Sequence, residues 1–363
     1  MTTEHVREKF AQARQNGMRA REAAEAIGLS EGAAVAAHLG ASEGTLCARL
    51  LNNHWLQQLQ SLEACGPLLA LTRNDSVVHE KTGVYRKLSA SGQVGLALGE
   101  DIDLRLFFDR WHAGFVVSEI ATNGDEPRTS LQYFDRHGTA VHKVYPREQS
   151  DAAAWQQVLA AHQDPQRAVV FETKPPTPVA GRAATIDVQA FARAWGAMTD
   201  THQFFPLLRQ FGLERRQSFQ LVQGQFTHRV ETVSVRDMLM EAAFEGTPIM
   251  CFVGSPGCIQ IHTGPVKRVE PLEMHGKTWL NVLDPGFNLH LREDRIADVW
   301  VVEKPTVDGV VTSLEAFDAD GELMAMFFGA RKPGQVEQPA WRDLLAHLQV
   351  LEQPAQDAQT VPA

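Results

Sequence analysis

The chain has 363 residues, enough for two ordinary domains, and its hydrophobic content of 44% is that of a globular protein. The formal net charge of −10 argues against non-specific nucleic-acid binding, because that binding needs a basic surface. The N-terminal residues are charged throughout and no long uncharged apolar run follows, so we expect neither a secretory signal nor a membrane span.

The first predicted elements are helices. Apolar residues follow helical spacing over residues 4–36, with breaks at Gly17 and Gly28. Within this region, residues 21–39 have the pattern of a helix-turn-helix, which leaves DNA binding open as an alternative function. A plain pair of packed helices explains the same pattern, and the glutamates of this segment speak against contact with DNA.

A second helical region is predicted in the later half of the chain, and a run of strands follows it. A second group of helices is expected at residues 188–198, with Asp187 as the N-cap, and at residues 201–211 and 214–222. Strand-like runs rich in β-branched and aromatic residues occur at residues 248–253, 258–262, 300–302 and 313–317. Since these strands follow one another without intervening helices, we expect antiparallel sheets.

The same pattern of residues occurs twice along the chain. TSLQYFD (residues 129–135) matches TSLEAFD (residues 312–318) at an offset of 183 residues, and a helix led by tryptophan follows each, at Trp155 and Trp341. Two domain-sized copies predict an α+β fold made by tandem structural duplication. Each repeat is expected to be a large antiparallel β-sheet with helices packed to one side.

A connector between the two copies is visible in the composition. Residues 174–184 (KPPTPVAGRAA) are rich in proline and small residues, which is typical of an exposed linker. We therefore place the boundary near residue 180, with an N-terminal repeat at residues 1–180 and a C-terminal repeat at residues 181–363.

The four cysteines indicate a reducing environment. They form no C-x-x-C pair, and no cluster of histidines lies beside them in the sequence. We expect reduced thiols in a cytoplasmic protein rather than a zinc site or a disulfide framework.

His202 is the leading candidate for a metal ligand. Thr199, Asp200 and Thr201 offer oxygens that cap a helix, so a helix is expected to begin just before this histidine. Pro206 lacks the backbone donor that would bond to the carbonyl group of residue 202, which loosens the first turn. A neutral imidazole among phenylalanines suits the axial position of a haem iron, although spacing alone favours a partly buried histidine with a structural role.

Arg105 is the second candidate, on a predicted strand. The alternation of side chains over residues 102–107 places Arg105 and Phe107 on one face. An arginine cannot ligate iron, but it can donate hydrogen bonds to a molecule bound on that iron. The alternative is a surface arginine paired with Asp103 or Asp109.

Other basic and histidine side chains are weaker candidates. Arg215, shortly after His202, and Arg331, at the end of the last predicted strand, have guanidinium groups that match ligand carboxylates in a two-pronged geometry. Solvated positions explain such arginines equally well. His79 and His262 fit strand ends, and a weak second haem site near His79 is left open.

Several of these motifs together resemble a known family. The segments DIDLRLFFDRW, MTDTHQFFPLLRQFGLERRQ, QIHTG and FFGARKPG resemble the cytoplasmic haemin-degrading and haem-trafficking (HemS-like) proteins of Gram-negative haem-uptake systems, over nearly the whole chain. The resemblance implies one haem in the C-terminal repeat, with His202 as the proximal ligand and Arg105 as a distal arginine. It also implies residues that line the pocket or bind the propionates: Phe107, Phe252, Arg215 and Arg331.

Two functions follow from the resemblance, and the sequence does not separate them. In the first, haem is both ligand and substrate, and it is degraded oxidatively to release iron. In the second, the chain carries haem to a separate haem oxygenase. The partners expected in the cytoplasm are the cytoplasmic side of a haem ABC transporter, a haem oxygenase or an electron donor.

Overall fold

A computed structural model of the protein describes residues 2–41, 44–120, 127–174, 186–274, 276–332 and 334–351. Within these ranges, the helices of the first copy are α1 (Thr3–Gln15), α2 (Ala20–Ala26), α3 (Glu31–Ala36), α4 (Trp55–Ser61) and α5 (Ala152–Ala161). Those of the second copy are α6 (Val188–Gly196), α7 (Phe204–Phe211), α8 (Arg215–Leu221), α9 (Ser234–Glu245) and α10 (Pro339–Ala346).

The strands of the first copy are β1 (Leu46–Leu50), β2 (Leu68–Arg73), β3 (Val77–Gly83), β4 (Leu88–Ser91), β5 (Val94–Leu98), β6 (Asp103–Phe107), β7 (Ala113–Ile120), β8 (Pro127–Phe134) and β9 (Ala140–Pro146). Those of the second copy are β10 (Thr227–Val230), β11 (Ile249–Gly254), β12 (Cys258–Gly264), β13 (Val269–Met274), β14 (Lys277–Asp284), β15 (Phe287–Arg292), β16 (Asp298–Thr306), β17 (Gly309–Phe317) and β18 (Leu323–Gly329).

The described strands belong to two antiparallel sheets of nine strands each, which confirms the predicted sheet type. The chain divides into two compact units. Unit 1 is formed by Met1–Val179, Phe252–His262 and Leu283–His290, and unit 2 by Ala180–Cys251, Thr263–Val282 and Leu291–Ala363.

Each unit has its own order of strands. In unit 1, neighbouring strands follow the order β1-β7-β8-β9-β2-β3, and a second group follows the order β12-β6-β5-β4. In unit 2, the order is β10-β16-β17-β18-β11, and β13 pairs with β14. The repeat boundary near residue 180 stays a prediction, because all of the predicted connector after Lys174 lies outside the described residues.

The two copies share details of structure that confirm the tandem duplication. In the first copy, the indole Nε1 of Trp155 on α5 donates to Oγ1 of Thr129 at 2.9 Å. In the second, Nε1 of Trp341 on α10 donates to the backbone oxygen of Thr312 at 3.0 Å. The last helix of each copy is thus hydrogen-bonded to the corresponding residue of the corresponding strand.

A second shared detail is an irregularity in the sheets. The pairing of β8 with β9 shifts register between Tyr133 and Phe134, and the pairing of β17 with β18 shifts between Ala316 and Phe317. A bulge of this kind bends a strand locally and increases its twist. Its occurrence at equivalent residues shows that both copies curve their sheets in the same way.

The N-terminal helices divide where the sequence predicts. Gly17 and Gly28 follow α1 and α2 with φ values of 84° and 76°, a left-handed conformation that glycine adopts without steric cost. Ser30 then begins α3, and its hydroxyl accepts a hydrogen bond from the backbone of Ala33 at 3.4 Å.

The burial of α3 argues against DNA binding through this region. A recognition helix presents its side chains to the major groove. In contrast, α3 buries Glu31, Gly32, Ala34 and Val35. The Glu31 carboxylate forms a buried ion pair with Nζ of Lys143 at 2.6 Å. The structure therefore supports the plain packed-helix interpretation of residues 21–39.

His79 lies in the core of unit 1. Its side chain is fully buried, and its Nδ1 lies 2.9 Å from Nε2 of Gln260. Nearby, Nζ of Lys81 lies 3.0 Å from Nδ1 of His262. Both histidines are buried core residues, on β3 and β12, and the His79 ring is fully covered by protein in this structure.

An aromatic core organises the helices of unit 2. It joins α6, α7 and α8 to β16 through Phe191, Trp195, Phe204, Phe219 and Trp300, each of them at most 2% exposed. Trp195 contacts Phe191, Phe204 and Phe219 edge to face. The helices on both sides of the segment between α6 and α7 are therefore held by the same core.

All four cysteines are free thiols, and Cys65, Cys251 and Cys258 are buried. In the part of the chain that the structure describes, no helix has both the length and the apolar character needed to cross a membrane.

Candidate functional site

His202 lies on a short turn that leads into α7. Residues Thr201–Gln203 form a single 3₁₀ turn, and Asp200 begins it in an extended conformation. One carboxylate oxygen of Asp200 accepts a hydrogen bond from the backbone N–H of His202 at 2.8 Å. With Pro206 in the first turn of α7, the helix does not extend back as a regular α-helix, which agrees with the loosened turn predicted from the sequence.

The imidazole of His202 is open to solvent on one side and held on the other. Its side chain is 93% exposed, and its Nδ1 lies 2.6 Å from the same Oδ1 of Asp200. The hydrogen bonds from the backbone and then from the ring of His202 hold the pKa of Asp200 below its usual value. The carboxylate therefore stays ionised and fixes Nδ1.

Phe205 adds an apolar surface next to His202. The two residues are three positions apart on a helical segment, so their side chains point to the same face. The Phe205 side chain is 58% exposed, whereas its neighbour Phe204 is buried against Trp195. A large exposed aromatic ring beside an exposed imidazole is a suitable surface for a flat apolar ligand.

Arg215 lies over these rings at the start of α8. Its guanidinium carbon is 5.0 Å from the centre of the Phe204 ring and 5.5 Å from that of Phe205. Its Nε and Nη2 donate to the two oxygens of Glu315 at 2.6 and 2.8 Å. This bidentate pair fixes the arginine over the aromatic rings.

Lys304 and Glu315 were missed by sequence reasoning. Nζ of Lys304 donates to Oε1 of Glu315 at 3.0 Å, and both side chains are buried. Burial lowers the pKa of Lys304 to about 8, while Arg215 and Lys304 lower the pKa of Glu315 to about 2 in spite of its burial. The only signal in the sequence was a charged residue at a buried position of each strand, in VVEKP and TSLEAF.

Arg331 follows the end of β18 in the same unit. Its positive charge is close enough to help lower the pKa of Asp200, and its side chain donates to the backbone oxygen of Gln335 at 3.4 Å. The structure therefore brings three predicted residues into one region of unit 2, around Asp200 and Phe205: His202, Arg215 and Arg331.

The other three predicted residues belong to unit 1. Arg105 and Phe107 lie on β6 with half-buried side chains, while the alternating residues Leu104 and Leu106 are buried, as the alternation predicts. Arg105 forms an ion pair with Asp103 on the same strand, which was the alternative weighed from the sequence. Phe252, the last of the six predicted site residues, lies on β11 with a half-buried side chain.

Comparison with known proteins agrees with this architecture. The sequence profile of the haemin-degrading HemS/ChuX domain matches the chain twice, at residues 28–162 and 212–348. The hemin transport protein HemS of Yersinia enterocolitica is 39% identical over 349 residues, which are 94% of this chain and 97% of that protein.

Solved structures are also similar to this chain over nearly its whole length. Holo-PhuS, a heme-binding protein from Pseudomonas aeruginosa, is 41% identical, with a TM-score of 0.89 over 97% of this chain and 100% of that one. ChuS, described as an E. coli heme oxygenase, is 34% identical, with a TM-score of 0.82 over 95% of this chain and 99% of that one. With the domain repeated in both halves, the chain belongs to the haemin-degrading HemS/ChuX family.

Proposed function

We propose that this protein binds haem in its C-terminal repeat, with His202 as the axial ligand of the iron, and that it degrades the bound haem to release iron. The observation that carries the proposal is the exposed imidazole of His202, held through Nδ1 by Asp200 and three residues before the exposed Phe205. When Nδ1 is hydrogen-bonded in this way, the lone pair of Nε2 stays free, and Nε2 is the nitrogen that can bind a metal.

The charges of the region suit the two carboxylates of haem. Haem is a flat apolar ring with propionates at one edge, so it needs an apolar surface and nearby cations. Phe205 offers the first, and the guanidinium of Arg215 lies 5.5 Å from the centre of that ring. We assign Arg215 and Arg331 to the propionates as nearby cations. Arg215 would contribute its charge and Nη1, because its Nε and Nη2 donate to Glu315.

Three residues of unit 1 complete the proposed set. When bound, the haem iron supplies the redox chemistry with oxygen and reductant that opens the ring. We assign Arg105 to hydrogen bonding on the iron face opposite His202, and Phe107 and Phe252 to the lining of the pocket. These three assignments come from the family resemblance, and the half-exposed side chain of Arg105 is compatible with its role.

The substitution His202→Ala tests the ligand. We expect the Soret band of the haem-titrated protein to shift or disappear, because the axial nitrogen is lost. The matched control is His347→Ala, which removes another exposed histidine that lies beside a carboxylate, that of Glu241 at 3.1 Å. A Soret band and affinity that stay unchanged in His202→Ala would show that this ligand is wrong.

A second candidate function is haem transport without true catalysis. It is favoured by a 39% identical relative that is named a hemin transport protein, whereas ChuS is described as a heme oxygenase. Ring opening with a physiological reductant in the presence of catalase separates the two functions. We expect ring opening to persist and to slow in Arg105→Ala, which keeps its haem. Complete loss of ring opening when peroxide is scavenged would leave only the transport function.

The proposed setting is the cytoplasm, in which free thiols such as the four of this chain are the normal state. There the protein would receive haem from the cytoplasmic side of an ABC transporter. Degradation would then require an electron donor, and transport would require a separate haem oxygenase as the acceptor.

A further inference from the structure

We infer that Asp200 is a positioning residue for His202: it selects the ring tautomer that directs Nε2 toward the haem iron, and it increases the electron donation of the imidazole. This inference rests on the proposed function, in which His202 is the iron ligand. It concerns a residue that the sequence suggests only as a helix cap.

One oxygen of Asp200 serves both the backbone and the ring of His202. Oδ1 accepts from the backbone N–H at 2.8 Å and lies 2.6 Å from Nδ1 of the ring. An ionised carboxylate can only accept hydrogen bonds, so Nδ1 must carry the proton in this arrangement. In the neutral imidazole, Nε2 is then the unprotonated nitrogen and is free to bind a metal.

The turn that carries both residues is braced independently. The backbone N–H of Gln203 donates to the carbonyl oxygen of Asp200 at 3.1 Å. The side chain of Gln203 also accepts from the backbone of Thr199 at 2.8 Å and donates to Oγ1 of Thr199 at 3.2 Å. Since these bonds do not involve the carboxylate of Asp200, a change of that carboxylate leaves the turn with most of its supports.

The charge of Asp200 matters in addition to its shape. Metal-bound histidines commonly donate their second N–H to a carboxylate, which fixes the ring and raises the basicity of the ligand. A more basic imidazole stabilises ferric over ferrous iron, so the Asp200 charge is expected to lower the reduction potential of the bound haem.

A role as helix cap alone is the competing explanation, and Asp200→Asn separates the two. Asparagine keeps an oxygen that can accept from the backbone of His202, but it removes the charge. The matched control is Asp187→Asn. Asp187 caps α6 in the same way, accepting from the backbone of Ala190 at 2.9 Å, and its capping bond involves no imidazole.

The first measurement needs no haem. Nitrogen-15 NMR of the imidazoles in the ligand-free full chain reports the tautomer of His202. We expect the Nδ1–H form to predominate in the unaltered protein and to lose this predominance in Asp200→Asn, while Asp187→Asn changes nothing. An equal tautomer distribution in the unaltered protein and in Asp200→Asn would overturn the positioning role.

The second measurement uses the haem-loaded protein. In Asp200→Asn we expect a more positive reduction potential, a lower iron–histidine stretching frequency in the ferrous state, and a loss of ferric haem affinity of about 10- to 100-fold. If His202→Ala loses the Soret band while Asp200→Asn leaves potential, frequency and affinity unchanged, Asp200 is a cap only. If instead His202→Ala keeps the band, the proposed ligand fails, and the tautomer result separately decides whether Asp200 positions the ring.

Discussion

Each copy of the domain carries an ion pair between the first residue of an equivalent helix and a strand, and the two pairs have opposite polarity. In the first copy, the carboxylate belongs to the first residue of α3, Glu31, and the cation to a strand, through Lys143 on β9. In the second copy, the first residue of α8 is the cation, Arg215, and the strand β17 supplies the carboxylate, Glu315. Glu31 and Arg215 are 184 residues apart, within the range of the other repeat offsets.

The strand partners of the two pairs occupy neighbouring rather than equivalent positions of the repeat. Lys143 pairs across β8 and β9 with Gln132, and Met326 pairs across β17 and β18 with Glu315. Gln132 therefore corresponds to Glu315, and Lys143 to Met326. A buried charge needs an opposite charge beside it, so a change on the helix had to be matched by a change on the strand.

The two pairs differ in the number of cations that contact the carboxylate. In the first copy, Glu31 and Lys143 contact each other one to one. In the second, one carboxylate contacts two cations, Arg215 and Lys304, and both lie near the ring of Phe204. The second copy thus holds one carboxylate in contact with two cations, whereas in the first copy Arg73 and Arg21 act on Glu31 only through their charge.

The largest expected effect comes from Glu315→Gln, which gives the second copy the residue of the first copy. It leaves Arg215 and Lys304 buried without a counter-charge, because the Glu315 side chain is 0% exposed. We expect the free energy of unfolding, measured by urea denaturation, to fall by about 3–5 kcal/mol. The control for loss of a single charge is Glu245→Gln, at the exposed last residue of α9, for which we expect a change within about 0.5 kcal/mol.

The pH dependence sharpens this prediction. The pKa of Glu315 is lowered from its ordinary value of 4.5 to about 2 in the folded protein. Its contribution to stability is therefore complete above pH 4.5 and is lost as the pH falls toward 2. We expect the stability difference between the unaltered protein and Glu315→Gln to shrink across that range. A difference that does not change with pH would contradict the assignment.

A smaller effect is expected from Lys143→Met, which gives the first copy the residue of the second. It leaves Glu31 buried without its lysine, and since these side chains are slightly more exposed than Glu315, we expect a loss of about 3 kcal/mol in urea denaturation. The double substitution Glu31→Leu with Lys143→Met should recover most of that loss, because an apolar pair can replace a buried ion pair. No recovery in the double variant would mean that the pair is not the main interaction of these residues.

The smallest effects are expected from Trp155→Phe and Trp341→Phe, which test what the copies share. Each removes one indole hydrogen bond, to Thr129 or to Thr312, and each should cost about 1–2 kcal/mol of unfolding free energy. Urea denaturation of the two variants should give similar losses. A loss confined to one copy would show that the indole hydrogen bond of the last helix does not contribute equally to the two copies.

Much of the local structure was predictable from the sequence because its causes are local. The glycine breaks after α1 and α2 follow from glycine's access to positive φ, and the caps at Asp187 and Asp200 follow from short side chains that accept backbone N–H groups. The loosened turn at His202 follows from the missing N–H of Pro206. The repeated TSL motifs led directly to the duplicated α+β fold.

Other predictions depended on contacts between residues that are far apart in the sequence, and the sequence alone does not show such contacts. Whether α3 is a recognition helix or a core helix was decided by its packing, which buries Glu31 against a lysine 112 residues away. Whether His79 is available to a ligand was likewise decided by Gln260, 181 residues along the chain. Burial is a property of the whole fold, and periodicity shows which face is apolar but not what covers it.

By itself, the sequence determined the duplication, the antiparallel α+β architecture and the capped turn that carries His202, since each depends on backbone conformation or on side-chain periodicity within a few residues. Only the tertiary structure decided that Arg215 is bound to Glu315, 100 residues away, and that Lys304 shares the same carboxylate. The physical reason is that the free energy of a buried charge depends on which opposite charges the fold places within a few ångströms of it.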